Sequence, residues 1–322
     1  MPLLQYSGGV SKADGATTPG WPTVPNIDDR FGQAVAVSAD WLVVGAPSHY
    51  MWYGTNEYPD LPGIVYLFRK TGWGSWEPHG HLYSPAGDGD DEFGRSVAIE
   101  EDTIVVGAPK DDACGTTVAH KTVSVSQVDD GCANAGSASV FVWEGGAWAL
   151  QAYLKAPNAA TQQYFGTSVA IENDTIVVGS VRSDTRNDVG WATVFMRRRS
   201  AGCAVWEAVQ VLTPPRRGAY HFGSSVALSN STLVVGSPND AGCDSGVFNG
   251  ADTFPASTGC AVAGAAYVFE RNSSGLWEAR AYLKPPVVEA HKPFARAVTI
   301  DGDTIAVGEQ QTSYLACVFE RN

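Results

Sequence analysis

Basic residues are scarce in this chain: 21 Lys and Arg stand against 34 Asp and Glu over 322 residues, a formal charge of −13. That balance excludes a surface built for nucleic acid or anionic lipid, where affinity comes from neutralising phosphates. The two short basic runs, "MRRRS" (Met196 to Ser200) and "PPRRG" (Pro214 to Gly218), read as solvated loop charge. Long apolar runs are missing too. None approaches the ~20 residues of a membrane span, so direct membrane insertion is not expected. The opening "MPLLQYSGG" lacks the basic start and apolar core of a signal peptide; the expectation is that a leader has been removed or that the chain travels another way. No stretch sustains a helical apolar period, so helix should be rare. Catalytic signatures are equally thin. There is no G-x-S-x-G elbow, no H-E-x-x-H and no phosphate-binding glycine loop, and the six histidines show no ligand spacing.

What the chain does have is one motif five times over. The copies are "FGQAVAVSADWLVVGAP" from Phe31, "FGRSVAIEEDTIVVGAP" from Phe93, "FGTSVAIENDTIVVGSV" from Phe165, "FGSSVALSNSTLVVGSP" from Phe222 and "FARAVTIDGDTIAVGEQ" from Phe294. Each reads as an alternating strand, a turn of three residues and a nearly wholly apolar strand. A third strand follows in every unit ("GIVYLFRK", "ASVFVWEG", "WATVFMRR", "AAYVFERN", "LACVFERN"). Four units add a fourth, opened by tryptophan ("WEPHGHLYSP", "WALQAYLKAP", "WEAVQVLTPP", "WEARAYLKPP"). Four strands per unit is the signature of a propeller blade.

The first strand also says how blades stack. Phe93, Arg95, Val97 and Ile99 make one face large, while Gly94, Ser96 and Ala98 make the other small. A bulky face lying on a neighbour's small face lets twisted sheets approach without voids. The fifth unit stops after its third strand, at "ACVFERN", and "LLQYSGG" near the start resembles the end of "HLYSPAG". The expected fold is therefore an all-β, five-bladed propeller of four-stranded antiparallel blades, a single domain over residues 1–322. Its blades start near residues 31, 93, 165, 222 and 294, and a strand from residues 1–8 closes the last blade and protects its edge.

The "FG" and "GAP" ends of the unit resemble the FG-GAP repeat family, best known from the head of integrin α subunits. The resemblance spans essentially the whole chain. It implies a β-propeller that serves as an extracellular binding or adhesion module, in some members a lectin. It also implies calcium in the hairpin between the first two strands, held by a run of the type Asp-x-Asp-x-Asp-Gly. Integrin-type heads have seven blades, against five units here, and the hairpins here hold only "SAD", "EED", "END", "SNS" and "DGD". Calcium takes roughly six to eight oxygens from a loop that wraps the ion. These short segments are instead the residues that tight turns want, and they read as turns.

Acid gathers elsewhere. "DGDDE" supplies Asp88, Asp90 and Asp91 ahead of the second unit, and "KDD" supplies Asp111 and Asp112 after its "GAP", all projecting from one face. Calcium is the one cofactor these carboxylates could share; the competing reading is solvated charge that aids solubility. Cys114 and Cys243 each follow the "GAP" glycine of their unit, and Cys132 and Cys260 each lead into the third strand through "CANAGSASVF" and "CAVAGAAYVF". Equivalent pairs in two units read as two disulfides, Cys114 with Cys132 and Cys243 with Cys260, which imply an oxidising compartment. Cys203 and Cys317 have no such partners. Asn173, Asn230 and Asn272 open Asn-x-Ser/Thr sites in expected turns, as in a secreted glycoprotein.

In a propeller, the connections from second to third strand share a face with those from fourth strand to the next blade. Here those connections vary, whereas the first hairpin is uniformly short, so the loop-rich face is assigned the binding role. On it, "SHYMWYGTNEY" places His49, Tyr50, Trp52, Tyr53, Asn56 and Tyr58 in one loop. Aromatic faces beside amides suit a sugar ring or a partner's apolar anchor; folding inward as a mini-core is the alternative. Lining the channel at one register are Gln33, Arg95, Thr167, Ser224 and Arg296, a ring with no carboxylate pair of the kind a glycosidase needs. The sequence thus points to a secreted or surface-displayed, non-catalytic module whose partner is a glycan or an extracellular protein. The other readings are a carbohydrate-active enzyme using loop carboxylates and a structural subunit of an extracellular assembly.

Overall fold

The structure is a computed structural model and describes residues 29–48, 62–72, 74–85, 89–115, 118–120, 131–181, 189–200, 203–309 and 316–321. Blade one holds β1 (Ala34–Ser38), β2 (Trp41–Ala46), β3 (Ile64–Lys70) and β4 (Trp76–Tyr83). Blade two holds β5 (Ser96–Glu100), β6 (Thr103–Ala108), β7 (Ala119–His120), β8 (Ser137–Glu144) and β9 (Ala147–Leu154). Blade three holds β10 (Phe165–Glu172), β11 (Thr175–Ser180), β12 (Trp191–Ser200) and β13 (Cys203–Leu212). Blade four holds β14 (Ser225–Ser229), β15 (Thr232–Ser237), β16 (Val247–Asn249), β17 (Ala265–Arg271) and β18 (Trp277–Leu283). Blade five holds β19 (Phe294–Asp301), β20 (Thr304–Glu309) and β21 (Ala316–Glu320). All pairings within the blades are antiparallel.

Two blades exceed four strands. Blade two runs β5-β6-β8-β9-β7 and blade four β14-β15-β17-β18-β16. Their long connections between second and third strands pass outside the fourth strand and pair with it, which covers an edge that would otherwise offer free N–H and C=O groups. The hairpin turns are also one residue tighter than expected, because Ser38 pairs with Trp41 and Glu100 with Thr103. Ala39, Glu101, Asn173, Asn230, Ser231 and Gly302 take the positive φ that such two-residue turns demand.

The second strands lie inside each sheet and in blades one to four are almost wholly buried, as in Thr103–Ala108 and Thr232–Ser237. Between blades, the two ends of the repeated motif meet. The glycine before "AP" in one blade lies on the "FG" backbone of the next: a Cβ on Gly45 would stand 2.0 Å from the Gly94 carbonyl oxygen, and one on Gly179 2.1 Å from that of Gly223. Serines add a rung, with Ser96 Oγ donating to the Gly166 carbonyl at 2.8 Å, Ser168 Oγ to that of Gly223 at 2.8 Å and Ser225 Oγ to that of Ala295 at 3.1 Å.

A second rung joins the hairpin turns. The N–H of Glu101 donates to Ser38 Oγ, that of Asn173 to the Glu100 carboxylate, that of Asn230 to the Glu172 carboxylate and that of Gly302 to Ser229 Oγ. The first acid of "EED" is thus a clasp on the next blade's turn. At the rim, Trp206 Nε1 donates to Gln151 Oε1, and Gln210 exchanges hydrogen bonds with the backbone of Trp277.

Among the described residues, none of these contacts recurs between blades five and one. Gly308 meets nothing closer than Ala297 at 3.8 Å, and Gly32 meets nothing within 4 Å. Val35 and Val37 on blade one are 58% and 62% exposed, where the equivalent Ile99 of blade two is buried. Among the described residues the third strand of blade five, β21, has an unpaired outer edge. The closing strand expected from residues 1–8 lies outside the described residues.

Candidate functional site

The approach to the first strand of blades one to four is a four-residue turn. The N–H of Gln33 donates to the Arg30 carbonyl at 2.9 Å, Arg95 to Glu92 at 2.9 Å, Thr167 to Tyr164 at 3.2 Å and Ser224 to His221 at 3.3 Å. The first residue of each turn adopts a positive φ: 55° at Arg30, 56° at Glu92, 49° at Tyr164 and 56° at His221. Side chains other than glycine are uncommon in that region. The repetition of the conformation with four different residues shows that the scaffold imposes it.

These turns, with the start of β19 in blade five, bring the sequence's channel ring together. Gln33, Arg95, Thr167, Ser224 and Arg296 all line one axial pocket of about 570 Å³, joined by Glu92, Tyr164 and His221. Pro109 and Val181, just past β6 and β11, complete its wall, so the pocket opens on the loop-rich face. The volume lies within the range of pockets that hold small ligands. Tyr164, His221 and Glu92 were not singled out from the sequence, although each stands immediately before its repeat's phenylalanine.

The charges within it are unequal. Glu92 is paired with Lys110 at 3.2 Å, and Lys110 also meets Asp90 at 3.3 Å. Arg95 and Arg296 form no ion pair among the described residues. Two guanidinium groups therefore face the axis of a chain whose formal charge is −13.

Around this pocket, blades two and four fix their long loops in the same way. Asp111, fully buried, accepts from the Ala113 N–H at 3.0 Å, Ser137 Oγ at 2.9 Å, the Tyr153 hydroxyl and Lys155 Nζ at 3.2 Å. Asp240 accepts from the Gly242 N–H at 2.8 Å, Tyr267 and Tyr282 hydroxyls at 2.7 Å each, and Arg216 Nη1 at 2.7 Å. Lys284 Nζ lies 3.8 Å from Asp240 and donates to the Gly264 carbonyl at 2.6 Å. Burial, together with the adjacent carboxylate, drives the Tyr153, Tyr267 and Tyr282 hydroxyls far above the ordinary phenol range. Burial pulls the Lys155 amine below its ordinary range, against the opposing pull of Asp111. The expected disulfides are present as Cys114–Cys132 and Cys243–Cys260, with Cα atoms 4.9 and 5.1 Å apart, and Cys317 is free.

Arg216 corrects the reading of "PPRRG" as solvated charge. Its side chain is buried and ion-paired with Asp240, and its other nitrogens donate to the Pro255 and Ser257 carbonyls, which ties the connection before blade four to that blade's long loop. The acidic group is likewise dispersed. Asp90 pairs with Lys110, Asp91 is buried, Asp111 is saturated by its four donors, and the Asp112 carboxylate accepts the Asn134 N–H at 2.7 Å. Asp88 lies outside the described residues. Among the described residues no three His, Cys, Asp or Glu side chains are grouped to hold a metal ion. His49, Tyr50, Trp52, Tyr53, Asn56 and Tyr58 all lie outside the described residues.

A family model described as FG-GAP repeat matches residues 25–68, 76–141, 148–195 and 206–269. The chain belongs to the FG-GAP repeat family. Three of these FG-GAP segments begin at the tryptophan end of a fourth strand and finish in the third strand of the next blade, so the unit of sequence straddles two units of structure. No curated protein matches the chain. The FG-GAP propeller is a binding or adhesion type of module, and its two disulfides are typical of extracellular proteins.

Proposed function

We propose that this FG-GAP propeller is a secreted or surface-displayed, non-catalytic module that binds a glycan in its axial pocket, with the neighbouring loops contacting the rest of the ligand. The observation that carries the reading is the pocket itself, to which all five blades contribute a polar side chain at one position of the repeat. A recess of this size suits one or two sugar rings better than the flat face of a protein. The polar groups of blades two to four sit at strand starts fixed by the blade contacts, the arrangement that gives a binding site low reorganisation cost.

A glycan array probed with the wild-type chain and with Thr167→Trp, which fills the pocket, tests this. Saccharide binding that the tryptophan abolishes supports the reading, whereas binding unchanged by it removes the pocket from the function. Turnover of a bound oligosaccharide, read by chromatography, replaces the module with a carbohydrate-active enzyme.

A further inference from the structure

The donors and acceptors of the axial pocket specify more than its size, and the following rests on the pocket being the binding site. Thr167 Oγ1 donates to the Tyr164 carbonyl at 2.6 Å and Ser224 Oγ to the His221 carbonyl at 2.8 Å. The Tyr164 hydroxyl donates to Gln162 Oε1 at 2.7 Å. Each of these hydroxyls has spent its hydrogen inside the protein, so what it can offer a ligand is a lone pair. The complement to several fixed acceptors is a ligand rich in O–H donors.

Arg95 and Arg296 impose the opposite demand. Neither is neutralised by a carboxylate among the described residues, and the one acid of the pocket, Glu92, already serves Lys110. Guanidinium groups only donate, and their planar fork fits two oxygens of a carboxylate or sulfate. In a chain with so few basic residues, two on the axis are a local reversal of the overall field that favours an anion entering the channel mouth.

We infer that the axial pocket takes an acidic saccharide, with Arg95 and Arg296 pairing with its oxyanions and Thr167, Ser224 and Tyr164 accepting its hydroxyls. Carboxylate-bearing and sulfated sugars share this chemistry, and the arms of the test separate them.

The experiment is titration calorimetry of the whole chain with an oligouronate, its methyl-esterified neutral counterpart, a sulfated oligosaccharide and inorganic sulfate. Wild type, Arg95→Gln, Arg296→Gln and Thr167→Trp are compared, with circular dichroism as a check on folding. The acidic oligosaccharide should bind about tenfold or more tightly than the neutral one, and each arginine replacement should weaken it about tenfold. Tighter binding of the uronate assigns the carboxylate, and of the sulfated sugar the sulfate. Equal binding of acidic and neutral sugars, still abolished by Thr167→Trp, overturns the acidic ligand and leaves the glycan pocket standing. Inorganic sulfate binding as tightly as the sulfated sugar overturns the saccharide. An absence of any saccharide binding that depends on Thr167 overturns both.

Discussion

Gly107 in blade two lies so close to Gly166 in blade three that a Cβ on it would stand 2.1 Å from the Gly166 carbonyl oxygen. The contact joins the "GAP" end of one repeat to the "FG" end of the next. Overpacking of this kind costs about 1 to 3 kcal/mol or more when backbone has to move. Gly107→Ala should therefore lower the melting temperature clearly. Gly308→Ala, at the equivalent position of blade five, meets only Ala297 at 3.8 Å and should be close to neutral. Equal losses from both would show that blade five has a neighbour on that side in solution.

The buried Asp111–Lys155 pair should respond asymmetrically. Asp111→Ala strands the Lys155 ammonium at a site that excludes water and should cost about 3 to 5 kcal/mol. Lys155→Met leaves the carboxylate with Ser137, Tyr153 and the Ala113 N–H and should cost less. Guanidinium unfolding of the two variants gives the comparison; a larger loss for Lys155→Met would mean that the amine, rather than the carboxylate, organises the loop.

Lys284 should make stability depend on pH in the alkaline range. Burial, set against the Asp240 carboxylate, brings its amine from the ordinary 10.5 to about 8. The folded chain then holds fewer protons there than the unfolded chain. The contribution is full above pH 10.5 and is lost as pH falls through about 8. Urea midpoints of wild type against Lys284→Met at pH 7 and pH 10 should therefore diverge, with wild type relatively weaker at pH 7. The opposite slope would show that Asp240, not burial, dominates the amine.

Closure of blade five by residues 1–8 is open to deletion. A groove of about 380 Å³ runs beside β21, lined by Val268, Leu283, Ile305, Val318 and Phe319, and Val318 is 61% exposed. If the first eight residues occupy it, removing them should abolish hydrogen-exchange protection of β21 amides and spare those of β11. Unchanged protection of β21 would rule the closing strand out.

The blades were legible in the sequence because their determinants are local. Alternation, a short polar turn and a glycine at fixed offsets recur at Phe31, Phe93, Phe165, Phe222 and Phe294, although the turn is one residue shorter than the sequence reading. The channel ring was legible for the same reason, since one offset in the repeat fixes one radius in the propeller. What escaped notice depends on distant partners. Asp111 reads as a metal ligand until Lys155, which lies 44 residues on, is seen beside it. Yet a signal existed: "AYLK" closes the fourth strand only in blades two and four, the blades with the cysteine pairs and with Asp111 or Asp240 after the motif. Arg216 had no such signal, because its connection is unlike that of any other blade. The turn at "EED" was legible, but not that the Glu100 carboxylate accepts from the neighbouring turn at Asn173, 73 residues on.

Among the described residues, the missing contacts at Gly308 and Gly32 leave blades five and one as the two ends of a row. A fully joined ring must lose its blades together, whereas a row of nearest-neighbour contacts frays from its termini inward. Blade three, clasped on both sides through Gly107, Ser96, Ser168 and Gly179, is then the last to yield. Blades two and four, with their stapled loops, stand on either side of it, so the axial pocket would lose only Gln33 and Arg296 from its wall while the outer blades breathe.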